Sequence, residues 1–255
     1  AYAASLDDLT RVVAAAPEDL AALTSRGTAR FQLARAVAAH GEDPGPLWDQ
    51  ALADLEKVCA VDPDRLAARN NRGNLLRALA DRVAARGGDP RPLLERARGD
   101  YGHCLALDPE DVDARTHRAL AWTSLAAVEA AAGEDPRGSY DHAVTDLERA
   151  IAAAPDVAGP RANLADLLVT IGRHAATTGE DPRPWYRRAV TEGDIACARG
   201  PTDPVPLVNR GLACLALGRA LAARDGPVAE WLDRAAADGT AARPHDPSAS
   251  ITSTS

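Results

Sequence analysis

The chain has 255 residues, enough for one large domain or two ordinary ones, and carries a formal net charge of −8. That acidity leaves no basic excess to meet a phosphate backbone, so nucleic acid is not an expected partner. Hydrophobic residues make up 46% and aromatics only 4%, with alanine abundant, which suits close-packed helices better than a β-sandwich.

From Ala3 to Ala15 the sequence reads as a lone helix, closed by Pro17, and thereafter the chain is periodic. Prolines recur at Pro63, Pro109, Pro155, Pro201 and Pro247, each 46 residues after the last. A small residue keeps the same interval at Gly27, Gly73, Ala119, Ala165 and Gly211, and an apolar one at Leu33, Leu79, Leu125, Ile171 and Leu217. Three columns in one period define internal repeats. The expected organisation is one solenoid over 1–247: a half repeat 1–17, then repeats 18–63, 64–109, 110–155, 156–201 and 202–247. Residues 248–255 lack a hydrophobic pattern and are expected to be disordered. The array opens mid-repeat in a chain with no Met, which leaves two readings, a removed initiator Met or a piece of a longer protein.

Each repeat divides into two helices. In the 64–109 copy the first runs over Leu66–Arg86, with Leu75, Leu76, Leu79 and Val83 at helical spacing and no proline. The second carries Leu94, Ala97, Tyr101 and Cys104 on one face. Between them stands Gly-Gly-Asp-Pro at 87–90, matched by Gly-Glu-Asp-Pro at 41–44, 133–136 and 179–182. The glycine can take the left-handed conformation that closes a helix. The aspartate can accept N–H bonds as a cap, and the proline opens the next helix, where a missing N–H costs nothing. The tetrapeptide therefore predicts a helix hairpin rather than a calcium loop, which needs more ligand oxygens at alternating positions.

The second helix of each repeat resembles that of the tetratricopeptide repeat. Ala97, Tyr101, Cys104 and Pro109 follow the family pattern, as do Ala51, Leu55, Val58 and Pro63, and Ala143, Leu147, Ala150 and Pro155. The next copy keeps Ala189, Ala196 and Pro201 but has Gly193 at the large position. In the first helix Gly73 and Leu76 fit, while Arg69 and Arg72 stand where the family has Trp and Leu. The family repeat is shorter by about twelve residues, placed here around the Gly-Glu-Asp-Pro turn. The resemblance implies an all-α fold, an α-solenoid of antiparallel helix pairs in a right-handed superhelix. It also implies a groove, lined by the first helices, that binds peptides or protein segments. Carried over position by position, that groove comprises Asn70, Asn74, Arg77, Thr116, Leu120, Thr123, Ala162, Asp166, Val169, Val208, Leu212 and Leu215, running from polar to apolar. The carboxylate clamp of one family subtype is absent, since its positions hold Ala21, Ala67, Asp113 and Gly159. A peptide with an apolar segment, or a helix, is the expected ligand.

Two charged columns run through the repeats. One is acidic, at Asp8, Asp54, Asp100, Asp146, Glu192 and Asp238; the other is Arg26, Arg72, Arg118 and Arg210, broken by Leu164. Asp54 and Arg72 lie equally far from Pro63, which predicts bridges from each second helix to the next first helix: Asp8–Arg26, Asp54–Arg72, Asp100–Arg118 and Glu192–Arg210. Asp146 would then be the odd member, turning to Arg149, Arg161 or water. Arg suits such pairing because its planar fork can bond both carboxylate oxygens. Trp48, Leu94, Tyr140 and Tyr186 share a register and are expected to fill space between the lengthened helices rather than form a binding strip.

No phosphate loop, nucleophile elbow or HExxH motif occurs, and no two of the six histidines lie three to five residues apart. No enzyme activity, cofactor or metal is expected. Cys59, Cys104, Cys197 and Cys214 lack CxxC spacing and read as buried free thiols of a cytoplasmic protein. No run of about 18 apolar residues suggests a membrane span. The expected function is non-enzymatic: a protein- or peptide-binding scaffold, part of a larger bacterial protein, with oligomeric state left open. The alternative is a structural spacer or self-assembling array.

Overall fold

A computed structural model describes residues 2–223 and 228–242. Among these residues there are eleven helices and no strand: α1 (Tyr2–Ala15), α2 (Leu20–Ala39), α3 (Gly45–Val61), α4 (Leu66–Ala85), α5 (Arg91–Leu107), α6 (Val112–Ala131), α7 (Arg137–Ala153), α8 (Ala158–Thr177), α9 (Arg183–Arg199), α10 (Pro204–Ala222) and α11 (Ala229–Ala241). The chain divides into two compact units, one through Asp146 and one from Leu147, with the boundary inside α7. Each unit is a run of antiparallel helix pairs, an all-α solenoid architecture in which each first helix packs on its own second helix. Pro247 and the expected tail at 248–255 lie outside the described residues.

The repeated tetrapeptide builds the hairpins as its chemistry dictates. Gly41, Gly87, Gly133 and Gly179 all take positive φ, between 76° and 83°. In the first copy Glu42 N–H donates to Val37 O at 3.2 Å and Gly41 N–H to Ala38 O at 3.0 Å, the double closure of a left-handed helix end. Gly88 and Gly87, Glu134 and Gly133, and Glu180 and Gly179 repeat it. Each aspartate then accepts the N–H two residues on, Asp43 from Gly45 at 3.1 Å and Asp89 from Arg91 at 3.0 Å. Pro44 is already helical in conformation and its carbonyl accepts from Trp48 N–H at 3.0 Å.

The core alternates small and large side chains. In the first unit Ala51, Leu55, Val58, Ala68 and Leu75 share one cluster, and Leu76, Ala97, Tyr101 and Ala121 another, all with no exposed surface. Each buried leucine contributes about 1.5–3 kcal/mol relative to exposure. Trp48, Leu94, Tyr140 and Tyr186 are buried and belong to this core. Tyr186 lies so close to Gly172 that an added Cβ would stand 2.4 Å from its ring. Cys59, Cys104 and Cys214 are buried free thiols and Cys197 is half-buried; burial pushes the Cys104 thiol up to about 11.

The charged columns pair differently from the sequence expectation. Each arginine bridges to the acid of its own hairpin, not to the acid preceding its proline turn. Arg26 donates to both oxygens of Asp54 at 2.9 and 2.6 Å, and Arg118 to both of Asp146 at 2.8 and 2.7 Å. Arg72 forks onto Asp100 and Arg210 onto Asp238 in the same way. Asp146 is therefore a full member, and Glu192 is the exception, because Leu164 stands where its arginine would be. The reason is the small-residue column beside each arginine. A Cβ on Gly27 would meet Leu55 Cγ at 3.0 Å and Asp54 Cβ at 3.3 Å, so the closest approach of α2 is to α3. That contact carries the neighbouring Arg26 to Asp54.

A second arginine column supports the first. Arg69 reaches Asp100 at 3.2 Å and also donates to the Pro63 carbonyl. Arg115 donates to the Pro109 carbonyl and lies 3.9 Å from Asp146. Arg161 takes over in the fourth repeat, 2.8 Å from Glu192. The residue standing at the family's tryptophan position thus ties the proline turn to the ladder.

Candidate functional site

In the first unit the first helices α2, α4 and α6 line an open cavity of about 490 Å³. It is lined by Phe31, Gln32 and Arg35 from α2, Asn74, Arg77, Ala78 and Asp81 from α4, and His117 and Leu120 from α6. The helices are held in this relation by polar links between first helices. Asn71 Nδ2 donates to Thr28 Oγ1 at 2.8 Å, and His117 Nδ1 lies 3.2 Å from Asn70 Oδ1. Behind the cavity, the Tyr101 hydroxyl donates to Asn74 Oδ1 at 2.8 Å, which fixes the orientation of that amide.

Charge in the cavity leans positive. Arg35 and Arg77 face one carboxylate, Asp81, whose proton affinity burial raises while Arg77 opposes the rise. Burial, then Arg77, lowers the pKa of His117 below the usual imidazole value, which disfavours the charged ring. Arg77 Nε is buried without a hydrogen-bond partner. Burial also pushes the Tyr101 phenol above its ordinary range, with Arg77 as the main opposing charge.

Of the residues carried over from the family groove, Asn74, Arg77 and Leu120 line this cavity, and Asn70 sits beside it through His117. Thr116 is buried, and its hydroxyl is occupied by the Val112 carbonyl at 2.7 Å; Thr123 donates to Ala119 O at 3.0 Å. In the second unit Ala162 and Val169 are buried, whereas Asp166 is exposed. Val208, Leu212 and Leu215 line an apolar cavity of about 420 Å³ with Gly211, Ala235, Gly239 and Ala242. Another of about 600 Å³ joins Leu212 and Leu215 to Arg173, Arg219 and Tyr186. Arg35, Gln32, Asp81 and His117 were not among the carried-over positions. Arg35 and Asp81 occupy one repeat column, which the periodicity could have placed on the cavity wall.

Among the described residues no group of three or more His, Cys, Asp or Glu side chains is arranged to hold a metal. Of the described helices, α10 alone is long and apolar enough to cross a membrane by length and composition, and it packs here against α8, α9 and α11. No family model and no curated protein matches the sequence. Solved structures do. A thermophilic tetratricopeptide-repeat protein of Thermus thermophilus aligns with a TM-score of 0.60 at 21% identity, over 84% of this chain and 91% of its own. A tetratricopeptide-repeat protein from Parabacteroides merdae gives 0.57 at 17% identity, over 94% of this chain and 85% of its own. The chain has the fold of the tetratricopeptide-repeat proteins, built here on a 46-residue unit.

Proposed function

We propose that the chain is a non-enzymatic recognition module which holds a peptide or protein segment against α2, α4 and α6, as a cytoplasmic part of a larger bacterial protein. The observation that carries this reading is the convergence of Asn74, Arg35, Arg77 and the apolar Phe31 and Leu120 on one cavity of about 490 Å³. An amide fixed by Tyr101 can hold a peptide backbone without reading its sequence. Two arginines against one aspartate favour a ligand carboxylate, and Leu120 offers an apolar contact beside it.

A phage-displayed peptide library panned on the full chain tests this, with Arg35→Glu and Leu120→Asp as comparison baits, both at solvent-accessible positions. Enrichment of peptides with an acidic residue near an apolar one, lost by at least tenfold on either variant, is the expected result. Equal enrichment on all three baits, or none, overturns it and leaves the array a spacer.

A further inference from the structure

The open cavity of about 600 Å³ in the second unit lies beside the lengthened helix ends, where α8 turns into α9 and α10 runs alongside. In the first repeat the chain itself fills the matching place. There Arg82 of α4 lies over the Trp48 ring at 5.6 Å and bonds Asp43 at 2.9 Å. Three periods on, Trp48 and Asp43 become Tyr186 and Asp181, but Ala220 stands at the position of Arg82, and its methyl leaves the cleft open. The second repeat has the same cleft, of about 430 Å³, between α4, α5 and α6, so such an opening belongs to the interior of the array.

Anion-holding groups converge on the fourth-repeat cleft. Arg173 and Arg219 share one register column on α8 and α10, and both line it. Among the described residues neither guanidinium makes a hydrogen bond or an ion pair. Tyr186 lines the cleft as well; it is only 5% exposed, and its hydroxyl makes no hydrogen bond to a described residue. A buried tyrosine hydroxyl ordinarily finds a partner. Burial raises the pKa of this phenol and Arg173 opposes the rise, which puts the guanidinium near the hydroxyl. Of the acids at the site, Asp181 already accepts from Arg183 at 2.8 and 2.5 Å. Asp166, two turns before Arg173 on α8, feels that arginine's charge. Two arginines against Asp166 leave one positive charge, beside an apolar wall of Leu212 and Leu215.

We propose that this cleft binds a small organic monocarboxylate with an apolar body. The carboxylate lies between Arg173 and Arg219 and accepts from the Tyr186 hydroxyl, while the body rests on Leu212 and Leu215. One negative charge matches the local balance, and the volume is that of a small-molecule site. The second repeat supplies the contrast. Asp81 and Ala127 stand at its two arginine positions and Leu94 at the tyrosine's, so its cleft lacks the three groups that hold the anion. This site belongs to the second unit and stands whether or not the cavity of α2, α4 and α6 takes a peptide.

The probe is para-fluorophenylbutyrate, titrated against the full chain and followed by fluorine NMR. Saturable one-to-one binding is expected, weakened about tenfold or more for the neutral amide of the same acid and by Arg173→Gln combined with Arg219→Gln. Both arginines are exposed, and circular dichroism checks that the double variant is folded. The amide reads the same charge on the unaltered chain. Tyr186→Phe keeps the ring over Gly172 and removes only the hydroxyl, and should weaken binding about fivefold. Absence of saturation overturns the proposal, as does equal affinity for acid and amide or equal binding by the parent and the double variant. Tighter binding of para-fluorobenzyl phosphate would overturn the choice of a monocarboxylate. Loss on Arg35→Gln, with the double variant unaffected, would place the acid in the cavity of α2, α4 and α6 and overturn the site.

Discussion

Asp8 and Asp100 occupy one register position, yet their surroundings differ completely. Asp100 is buried and holds the forks of Arg72 and Arg69, whereas Asp8 stands in solvent. Hydrogen bonding to Asp100 raises the Arg72 pKa, and Asp54 acts likewise on Arg26, so these guanidiniums stay charged at any working pH. Removing Asp100 would strand two largely buried cations. Asp100→Ala should therefore cost about 3–5 kcal/mol in urea denaturation, while Asp8→Ala should stay within about 0.5 kcal/mol. Equal effects would mean that the buried ladder contributes nothing to stability. Which acid each arginine takes could not be read from spacing: Arg72 lies 18 residues from Asp54 and 28 from Asp100, each across one helix turn, and it bonds the more distant one. The decision belongs to van der Waals contact, where the missing side chain of Gly73 lets α4 approach α5 most closely.

At the scale of the helix pair, two kinds of glycine do different work. Gly73 is a contact glycine: a Cβ there would stand 2.6 Å from the Tyr101 ring. Gly87 is a turn glycine, with φ of 76° and nothing within 4 Å of an added Cβ. Gly73→Ala should cost about 1–3 kcal/mol by overpacking, and adding Tyr101→Leu should cost less than the two changes summed. Gly87→Ala should cost about 1–2 kcal/mol from left-handed strain alone, with no neighbouring substitution able to relieve it. Denaturation of the four variants separates the cases. The hairpins themselves were legible because glycine, aspartate and proline each act on the backbone within a few residues. The wall of the cavity between the first helices was legible only in part. Asn74, Arg77 and Leu120 reach the cavity, but Val169 sits in the core and Thr116 bonds its own helix. Local spacing says which helix a residue is on, and the packing of neighbouring helices then decides how much of that face solvent reaches.

Within each unit, helices touch their neighbours in the array and little else, so protection should follow how much each helix buries. Among the described side chains Val13 alone is buried in α1, and Asp238 alone in α11, while α4 and α5 bury five and six residues. Hydrogen exchange followed by mass spectrometry should find α1 and α11 exchanging fastest and α8, which buries ten residues, slowest. Uniform protection along the chain would show that the array opens as one body instead.

The closure of each arginine bridge inside its own hairpin bears on how such a chain can lengthen or shorten over generations. Arg26 with Asp54, Arg72 with Asp100 and Arg210 with Asp238 each lie within one 46-residue period, between one proline turn and the next. Recombination that inserts or deletes one whole period moves both partners of such a buried bridge together. Had the bridges crossed the proline turns, every such event would have required the partners of two unlike copies to fit at once. Each buried bridge closes within the period of the gene, so copy number can drift while the arginine bridge of every surviving hairpin stays intact.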